Sequence, residues 1–399
     1  MKISKHIKQL PENYTFGLEL EFTGGIDCQQ TQEIIDKLIL QGKIRKGWTV
    51  HYDNSVVDEN NLGAEIVSPV LKDNETTRKE LEIITTIIKE VGGIMTEKVG
   101  GHIHFGLQCF GNDIENIKNF FKLYSIFEPL LYKISTGDLD HVRPGCGTYA
   151  KPIQDRLFNV IDGNTNSLSE LMIILASNVG ANPTHYGENR YYGLNIQRII
   201  EAIRNKNHDE SLEEFLQKIF KGEPVYDNKG NILSPTIEMR FRNGSSNADE
   251  ILTGVRMCGG LINSAKNKNE MKKPIIKSLY RFAKKRTKYV FDLVLRANRD
   301  DPLYSDCSND EEILLKKFHN SCYGDGIIDY KTMKTFLNII NPDMNEQTIN
   351  EIINYYQSKV KSTGYRKNQN AQALDYLTAI RNNIILNLNE HINRLTLSA

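Results

Sequence analysis

The sequence lacks the features that most directly assign a chain to a membrane or to nucleic acid. No stretch approaches the ~18 consecutive apolar residues of a transmembrane helix, and the opening MKISKHIKQLPENY carries basic side chains without the apolar core of a signal peptide. Lys plus Arg and Asp plus Glu balance at 50 each, so no net field attracts nucleic acid or an anionic membrane. We therefore predict a cytoplasmic protein with no nucleic-acid and no membrane partner.

Paired cysteine motifs are missing as well. The six cysteines are scattered and none forms a CxxC pair, which in a chain without an export signal argues for reduced thiols and against a disulfide framework or a zinc site. No G-x-S-x-G element that would carry a nucleophilic serine is present. The length of 399 residues allows two or three domains, or one large catalytic domain with an appendage.

Strand and helix signals are mixed over the first two thirds of the chain. We predict strands at 15–22, 48–52, 63–68, 101–106, 191–196 and 236–242, and helices at 29–41, 76–91, 114–134, after the capping box at 167–170 and after the cap Asn247. Strands often follow one another without a regular helix between them, which favours an α+β fold over a doubly wound parallel sheet.

The composition shifts at about residue 266. The segment 266–288 is rich in Lys and Arg, and the chain after it has helical periodicity. We therefore predict a catalytic domain over 1–265 and a helical region over 266–399 that offers a surface for a homo-oligomer or a protein partner. The basic segment has two interpretations, a solvated helix face or a contact with RNA or acidic lipid, and the solvated face is the more common of the two.

One stretch of the helical region, centred on Gly326, resembles the second half of an EF-hand loop. The loop positions that should be acidic hold Ser321, Tyr323 and Thr332 instead. We therefore predict a degenerate helix–loop–helix that serves packing or docking and does not bind calcium.

Three of the predicted strands carry an apolar face and a face of acidic, imidazole or guanidinium side chains. These faces hold Glu19 and Glu21, His102 and His104, and Glu238, Arg240 and Arg242, while Glu65 lies in a fourth strand between apolar neighbours. Each has an ordinary alternative, namely a solvated acidic face, incidental histidines or a surface ion-pair ladder. Together they favour a metal–phosphate site, because carboxylate-rich sites suit magnesium or manganese and arginine suits a transferring phosphoryl group.

The same motifs, in this order, resemble those of the amidoligase family, which belongs with glutamine synthetase and glutamate–cysteine ligase in the carboxylate–amine ligase superfamily. The resemblance rests on FGLELEF at 16–22, GAEIVSP at 63–69, GGHIH at 100–104 and TIEMRFRNG at 236–244, within about residues 14–260. It implies a curved, mostly antiparallel sheet of the glutamine-synthetase catalytic type with flanking helices, which binds ATP and two or more divalent cations.

The resemblance also implies two sets of cation ligands. By position, Glu19, His102 and Glu238 correspond to the ligands of the cation nearer the ATP phosphates. Glu21 and Glu65 correspond to ligands of the cation nearer the carboxylate substrate. Glutamine synthetases usually have a further glutamate at this second site, and no residue here matches it.

The implied reaction is the ATP-dependent formation of an amide bond. ATP phosphorylates a substrate carboxylate, and an amine then attacks the acyl phosphate. His104 corresponds to a histidine near the nucleotide phosphates, and Arg240, in the same strand as Glu238, corresponds to the arginine that contacts the transferred phosphoryl group. The expected partners are carboxylate and amine substrates, each a small molecule, a peptide or a protein. A small-molecule kinase of the same fold type and a nucleotide-binding scaffold without turnover are the alternatives.

Five further residues are candidates with ordinary alternatives. Asp53 matches a family element and would position or deprotonate the amine, although an Asx turn also explains it. Arg190, Tyr192 and Asn195 resemble a family segment near the substrate, although polar residues at strand ends often only cap structure. Lys151 would meet a nucleotide phosphate or would be a solvated lysine.

Overall fold

The computed structural model describes residues 2–96, 98–135, 150, 153–165, 167–178, 192–285 and 330–361. In this part of the chain, one large antiparallel sheet and a two-stranded ribbon combine with helices, which confirms the predicted α+β class. None of the helices in the same part is both long enough and apolar enough to cross a bilayer. The loop centred on Gly326 and the candidates Lys151 and Arg190 lie outside the described residues.

The strands are short except for those that carry the sequence motifs. They are β1 (Phe16–Gly24), β2 (Thr49–Tyr52), β3 (Gly63–Val67), β4 (Gly93–Ile94), β5 (Gly100–Gly106), β6 (Leu194–Asn195), β7 (Val225–Tyr226), β8 (Ile232–Leu233) and β9 (Thr236–Asn243). Strands β7 and β8 form the ribbon, and the others form the sheet in the order β2-β3-β1-β5-β9-β6, with β4 paired to the end of β1. The four strands that carry the motifs, β3, β1, β5 and β9, are therefore neighbours in the sheet.

Side-chain caps set the starts of several helices. Asp27, Asn74 and Asn247 each accept a hydrogen bond of 2.9 Å from a backbone N–H of the first turn. The helices are α1 (Cys28–Leu40), α2 (Glu75–Glu90), α3 (Ile114–Ile134), α4 (Gln154–Asp162), α5 (Leu168–Asn178), α6 (Gln197–Asn205), α7 (Leu212–Lys221), α8 (Ala248–Ala265), α9 (Lys268–Lys272), α10 (Tyr330–Ile340) and α11 (Glu346–Lys361), and residues 274–285 are helical as well.

The register of the central strands brings the polar motif residues together. Glu21 pairs with Glu65 of β3, Glu19 with His102 of β5, and His104 with Glu238 of β9. The residues that alternate with Glu19 and Glu21 on β1, from Phe16 to Phe22, are buried in the hydrophobic core. The alternation read from the sequence therefore separates a core face from a polar face.

Helices α3 and α8 pack against each other and contact the sheet. The later helix α10 joins this layer, because the Phe127 and Phe336 rings lie 5.3 Å apart and Ser264 Oγ donates a hydrogen bond to the Ile339 carbonyl at 2.5 Å. Residues 330–361 thus pack directly on the core of the first 265 residues. The predicted division of the chain at residue 265 stays a prediction.

A β-bulge interrupts the pairing of β5 with β9. Gly101 pairs with Arg242 and Ile103 pairs with Met239, so two residues of β9 stand opposite the single residue His102. The extra residue turns Arg242 toward α8, where its guanidinium donates to the Ile251 carbonyl at 3.3 Å. The prediction that Arg242 shares a face with Glu238 was therefore wrong, because a bulge breaks the two-residue alternation on which it relied.

The amino-terminal segment is held to α8 by a buried ion pair. Arg256 binds both oxygens of Asp73 at 2.8 and 2.9 Å, and the same carboxylate accepts the Leu10 backbone N–H at 2.9 Å. We expect Asp73→Ala to reduce the free energy of unfolding by about 3–5 kcal/mol, because it removes the carboxylate that balances the Arg256 charge and accepts the Leu10 N–H. Urea denaturation of the full chain measures the change.

The exposed pair between Lys8 and Asp343 provides the control for this experiment. Its atoms lie 3.8 Å apart and its side chains are 63% and 85% exposed. Asp343→Ala should cost about 0–1 kcal/mol, because solvent screens exposed pairs. Equal losses in the two variants would contradict the assigned role of Asp73.

Candidate metal and phosphate site

A cavity of about 940 Å³ opens on the polar face of the sheet. Strands β1, β3, β5 and β9 provide its floor through their carboxylate, imidazole and guanidinium side chains. Helix α6 lines it from one edge of the sheet, and the turn after β2 lines it from the other. Six of the residues that the sequence analysis assigned to a metal–phosphate site line this cavity, namely Glu19, Glu21, Glu65, His102, Glu238 and Arg240.

Glu19, His104 and Glu238 form one group of metal-ligand atoms, which we call the first cluster. One ligand atom of each residue lies within 4.8 Å of the others. His104 Nε2 is 3.1 Å from Glu19 Oε1 and 4.0 Å from Glu238 Oε1. All three side chains are buried. A buried group of two carboxylates and one imidazole can hold a divalent cation.

His102 stands between this cluster and the next carboxylate. Its Nδ1 hydrogen-bonds Glu19 Oε2 at 2.8 Å and lies 3.4 Å from Glu238 Oε1, while its Nε2 lies 3.3 Å from Glu21 Oε1. The structure therefore gathers His102 and His104 around the same two glutamates. Which imidazole ligates a cation stays a prediction, and the geometry favours His104 as the third member.

The Nε2 atoms of the two imidazoles indicate whether the site fits a cation. The Nε2 atoms of His102 and His104 are both buried, and neither meets the angle requirement of a hydrogen bond, although carboxylate oxygens lie 3.3 and 3.1 Å away. Buried polar atoms are normally satisfied by a partner. A divalent cation shared with the carboxylates would satisfy the His104 nitrogen, so the residues fit the ion.

Glu21, Asp53 and Glu65 form a second cluster, again with one ligand atom of each within 4.8 Å of the others. Glu21 also accepts the Gly100 N–H at 2.5 Å. Asp53 closes an Asx turn by accepting the Ser55 N–H at 2.8 Å, so the structural role considered for it is present. The same turn places the Asp53 carboxylate beside Glu21 and Glu65. Asp53 thus provides the third acidic side chain that the sequence analysis did not find for the second cation site.

Charge repulsion is strong in the second cluster. Burial, followed by the negative charges of Glu19, Asp53 and Glu21, raises the pKa of Glu65 to about 8. In the first cluster burial alone would raise the pKa of Glu19, but the imidazoles of His102 and His104 outweigh burial and hold that pKa well below its usual range. The second cluster is therefore the one whose negative charge is poorly compensated by the protein itself.

Glu238 is held by two neighbours. Asn195 Nδ2 donates to its Oε2 at 2.7 Å, and Arg240 Nη1 donates to its Oε1 at 2.5 Å. Burial opposes the charged carboxylate, but the Arg240 guanidinium lowers the pKa of Glu238 below its ordinary value. Asn195, predicted near the substrate, thus lies in the cavity as a support for Glu238. Tyr192 is buried beneath the Arg156 guanidinium, 5.0 Å from its ring centre, and does not line the cavity.

Sequence reasoning missed the contribution of α6. Arg198 Nη2 lies 2.9 Å from Glu19 Oε1, and Glu201 lines the cavity one turn later. The signal was weak, because a three-residue spacing of polar side chains on a short amphipathic helix usually marks a solvated face. Only the pairing of β6 with β9, through Asn195 and Glu238, directs this helix to the site.

A second cavity of about 510 Å³ adjoins the first on the His104 side. Apolar side chains of α7 and the ribbon, including Ile219, Val225 and Leu233, line part of it. Glu19 and His104 of the first cluster line its inner end. The polar face thus carries a charged cavity and a more apolar one side by side.

The chain matches the family model described as "Putative amidoligase enzyme" over residues 12–262. It therefore belongs to the amidoligase family, as the motif order predicted, and this membership indicates an enzyme of ligase type. The matched range includes both clusters, Arg198 and Arg240. A search of the curated proteins finds no match.

Glu65 makes stability depend on pH. Its pKa is about 8 in the folded protein against an ordinary value of 4.5. The folded state thus binds this proton more tightly than the unfolded state does. The resulting stabilisation is complete below pH 4.5 and is lost as the pH rises through 8. We expect Glu65→Gln to flatten this decline in urea denaturation at pH 5.5 and 8.5 with EDTA.

The exposed Glu33→Gln variant is the matched control, because its carboxylate lies outside both clusters. It should retain the wild-type decline in the free energy of unfolding. A Glu65→Gln protein whose stability falls with pH as steeply as that of the wild type would contradict the raised pKa of Glu65.

Proposed function

We propose that this protein is an ATP-dependent ligase that uses Mg²⁺ or Mn²⁺ to join a carboxylate to an amine through an acyl-phosphate intermediate. One observation carries the proposal: the second cluster, Glu19 and Glu238 of the first cluster, and the Arg240 guanidinium all line one cavity on the polar face of the sheet, and His104 completes the first cluster from the adjoining cavity. Phosphoryl transfer needs positive charge around the transferred group, and cations with a guanidinium provide it. The ligase character of the family agrees with this reading.

The two clusters would hold two cations with different tasks. Glu19, His104 and Glu238 would hold the cation nearer the nucleotide phosphates, with His102 beside them, and the second cluster would hold the cation nearer the substrate carboxylate. When bound, such cations neutralise the phosphates and orient the carboxylate for attack on the γ-phosphorus. Asp53 is then a cation ligand in this proposal, in place of the amine base considered from the sequence.

The second cavity suits the nucleoside. Its apolar lining offers a surface for a planar base, and its inner end reaches the first cluster at Glu19 and His104. We infer that the base and ribose occupy this cavity and that the phosphates extend toward the first cluster. Thr236, which lines the same end and hydrogen-bonds His104 Nδ1 at 3.2 Å, would fix the orientation of that imidazole.

The amine would enter from the side of α6. Glu201 faces the charged cavity from this edge, and Asp53 faces it from the opposite edge. The Glu201 carboxylate, which lies away from the path proposed for the phosphates, would attract the ammonium form of an amine and accept its proton.

The sheet itself is proposed to be of the glutamine-synthetase catalytic type, because the order of its motifs resembles that superfamily.

Incubation with MgATP and pooled candidate carboxylates and amines tests the function. Phosphate release together with the mass of a new amide would support the ligase. A stable phosphorylated product without an amide would replace it with the small-molecule kinase. Nucleotide binding without any phosphate release from any pool would leave the non-catalytic scaffold. Glu238→Gln is the inactive control.

A further inference from the structure

Arg198 forms an ion pair at the centre of the site while part of its charge faces solvent. Its Nη2 lies 2.9 Å from Glu19 Oε1, and His104 Nε2 lies 3.1 Å from the same oxygen. The Arg198 side chain is 48% exposed and that of Glu19 only 11%. A cation bound by the first cluster would therefore compete with the Arg198 guanidinium for the same oxygen of Glu19.

Arg198 also stands at the boundary between the two cavities. Of the residues that the structure describes, Glu19 and Arg198 alone line both the charged and the more apolar cavity. A ligand that extends from one cavity into the other must pass these two side chains. A polyphosphate would meet a negative carboxylate there, and it needs positive charge at this point to pass it.

We propose that Arg198 couples the binding of the cation to that of the nucleotide by exchanging partners. The cation takes the Glu19 oxygen, and the released guanidinium binds phosphate oxygens at the boundary of the cavities. This inference rests on the proposed function, because it assumes a polyphosphate that spans both cavities. It adds a positioning arginine that no motif of the sequence indicated.

The exchange is favourable because Arg198 binds phosphate oxygens more strongly than it binds the single Glu19 oxygen. A half-exposed ion pair contributes little to stability, so breaking it costs little. A planar guanidinium matches phosphate oxygens with two parallel donors, and this geometry is stronger than a pair with one shared carboxylate oxygen. Arg198 thus gains when the cation displaces it and phosphate is present.

Arg240 cannot make the same exchange. Its side chain is 14% exposed, and its partner Glu238 is 4% exposed. Burial keeps this pair together, because separating two buried charges leaves both uncompensated. The site therefore has one fixed arginine, Arg240, and one exchangeable arginine, Arg198.

Two binding measurements on Arg198→Ala test the coupling. Without nucleotide, Mn²⁺ should bind the variant about 2–5-fold more tightly than the wild type, because the guanidinium that competes for Glu19 is gone. The non-hydrolysable nucleotide AMP-PNP with Mg²⁺ should bind about 10–100-fold more weakly. Titration of Mn²⁺ by electron paramagnetic resonance and calorimetry of the nucleotide provide the two affinities without relying on turnover.

The opposite signs separate coupling from a structural role. Arg198→Lys keeps the charge and should recover part of the nucleotide affinity, and Arg204→Ala, on the exposed side of the same helix, should change neither affinity. If Arg198→Ala weakens both ligands, or leaves Mn²⁺ affinity unchanged, the exchange is wrong. If wild-type protein binds no nucleotide, the proposed function fails first; if it does bind and Arg198→Ala binds equally well, only the coupling fails.

Discussion

Replacing Glu238 by glutamine should abolish turnover while leaving the protein folded. The carboxylate is buried between Asn195, Arg240 and the imidazoles of the first cluster. Glutamine keeps the volume and one acceptor oxygen but removes the charge that balances a cation. We expect kcat to fall by about 10³-fold or more, since a lost metal ligand removes several kcal/mol of transition-state stabilisation.

The measurement is phosphate release under single-substrate saturation, with circular dichroism and thermal melting on the same sample. Glu33→Gln is again the matched control and should have wild-type kcat, because Glu33 is exposed on α1. A Glu238→Gln protein that keeps more than about a tenth of wild-type kcat would remove Glu238 from the cation site.

The second large effect is expected at Arg240. The Arg240→Ala variant should lose about 10³-fold or more in kcat with a smaller change in KM, because a guanidinium at a transferring phosphoryl group acts mainly in the transition state. Arg240→Lys should recover only part of the loss. Lysine restores the positive charge but cannot reproduce the planar pair of donors.

Arg242 provides a control within the same strand. The bulge turns this arginine to α8, so Arg242→Lys should lower the melting temperature through its lost hydrogen bond to Ile251 while kcat stays unchanged. Steady-state kinetics at saturating ATP, paired with thermal melting, separates the two arginines. Equal kinetic losses at both positions would mean that Arg240 acts through the fold and not at the phosphoryl group.

The local features of this fold follow from short-range signals in the sequence. Alternating side chains located β1 and β5, helical periodicity gave α3 with both of its observed ends, and Asn247 capped α8 as predicted. Each of these depends on neighbours within a turn or a strand. The family resemblance then indicated that the four motif strands share a site, and the strand registers bring their polar residues together.

The missed features depend on contacts between distant segments. The bulge at His102 is set by how β9 fits both β5 and α8, and the pattern of Glu238, Arg240 and Arg242 gives no sign of it. Arg198 reaches Glu19 across 179 residues of sequence. The proximity of Asp53 to Glu21 and Glu65 depends on how the turn after β2 is placed against β3 and β1, which no local spacing indicates.

The two clusters differ in the local stability of the segments that carry them, because Asp53 of the second cluster lies in a turn at the sheet edge. The first cluster is carried by β1, β5 and β9, which are paired on both sides. The second depends on the turn that follows β2, the outermost strand of the sheet in its described part and one that is largely exposed. Edge segments open at a lower free energy than central strands. Fraying of a few terminal hydrogen bonds would therefore remove Asp53 from the second cluster while the first cluster stays intact.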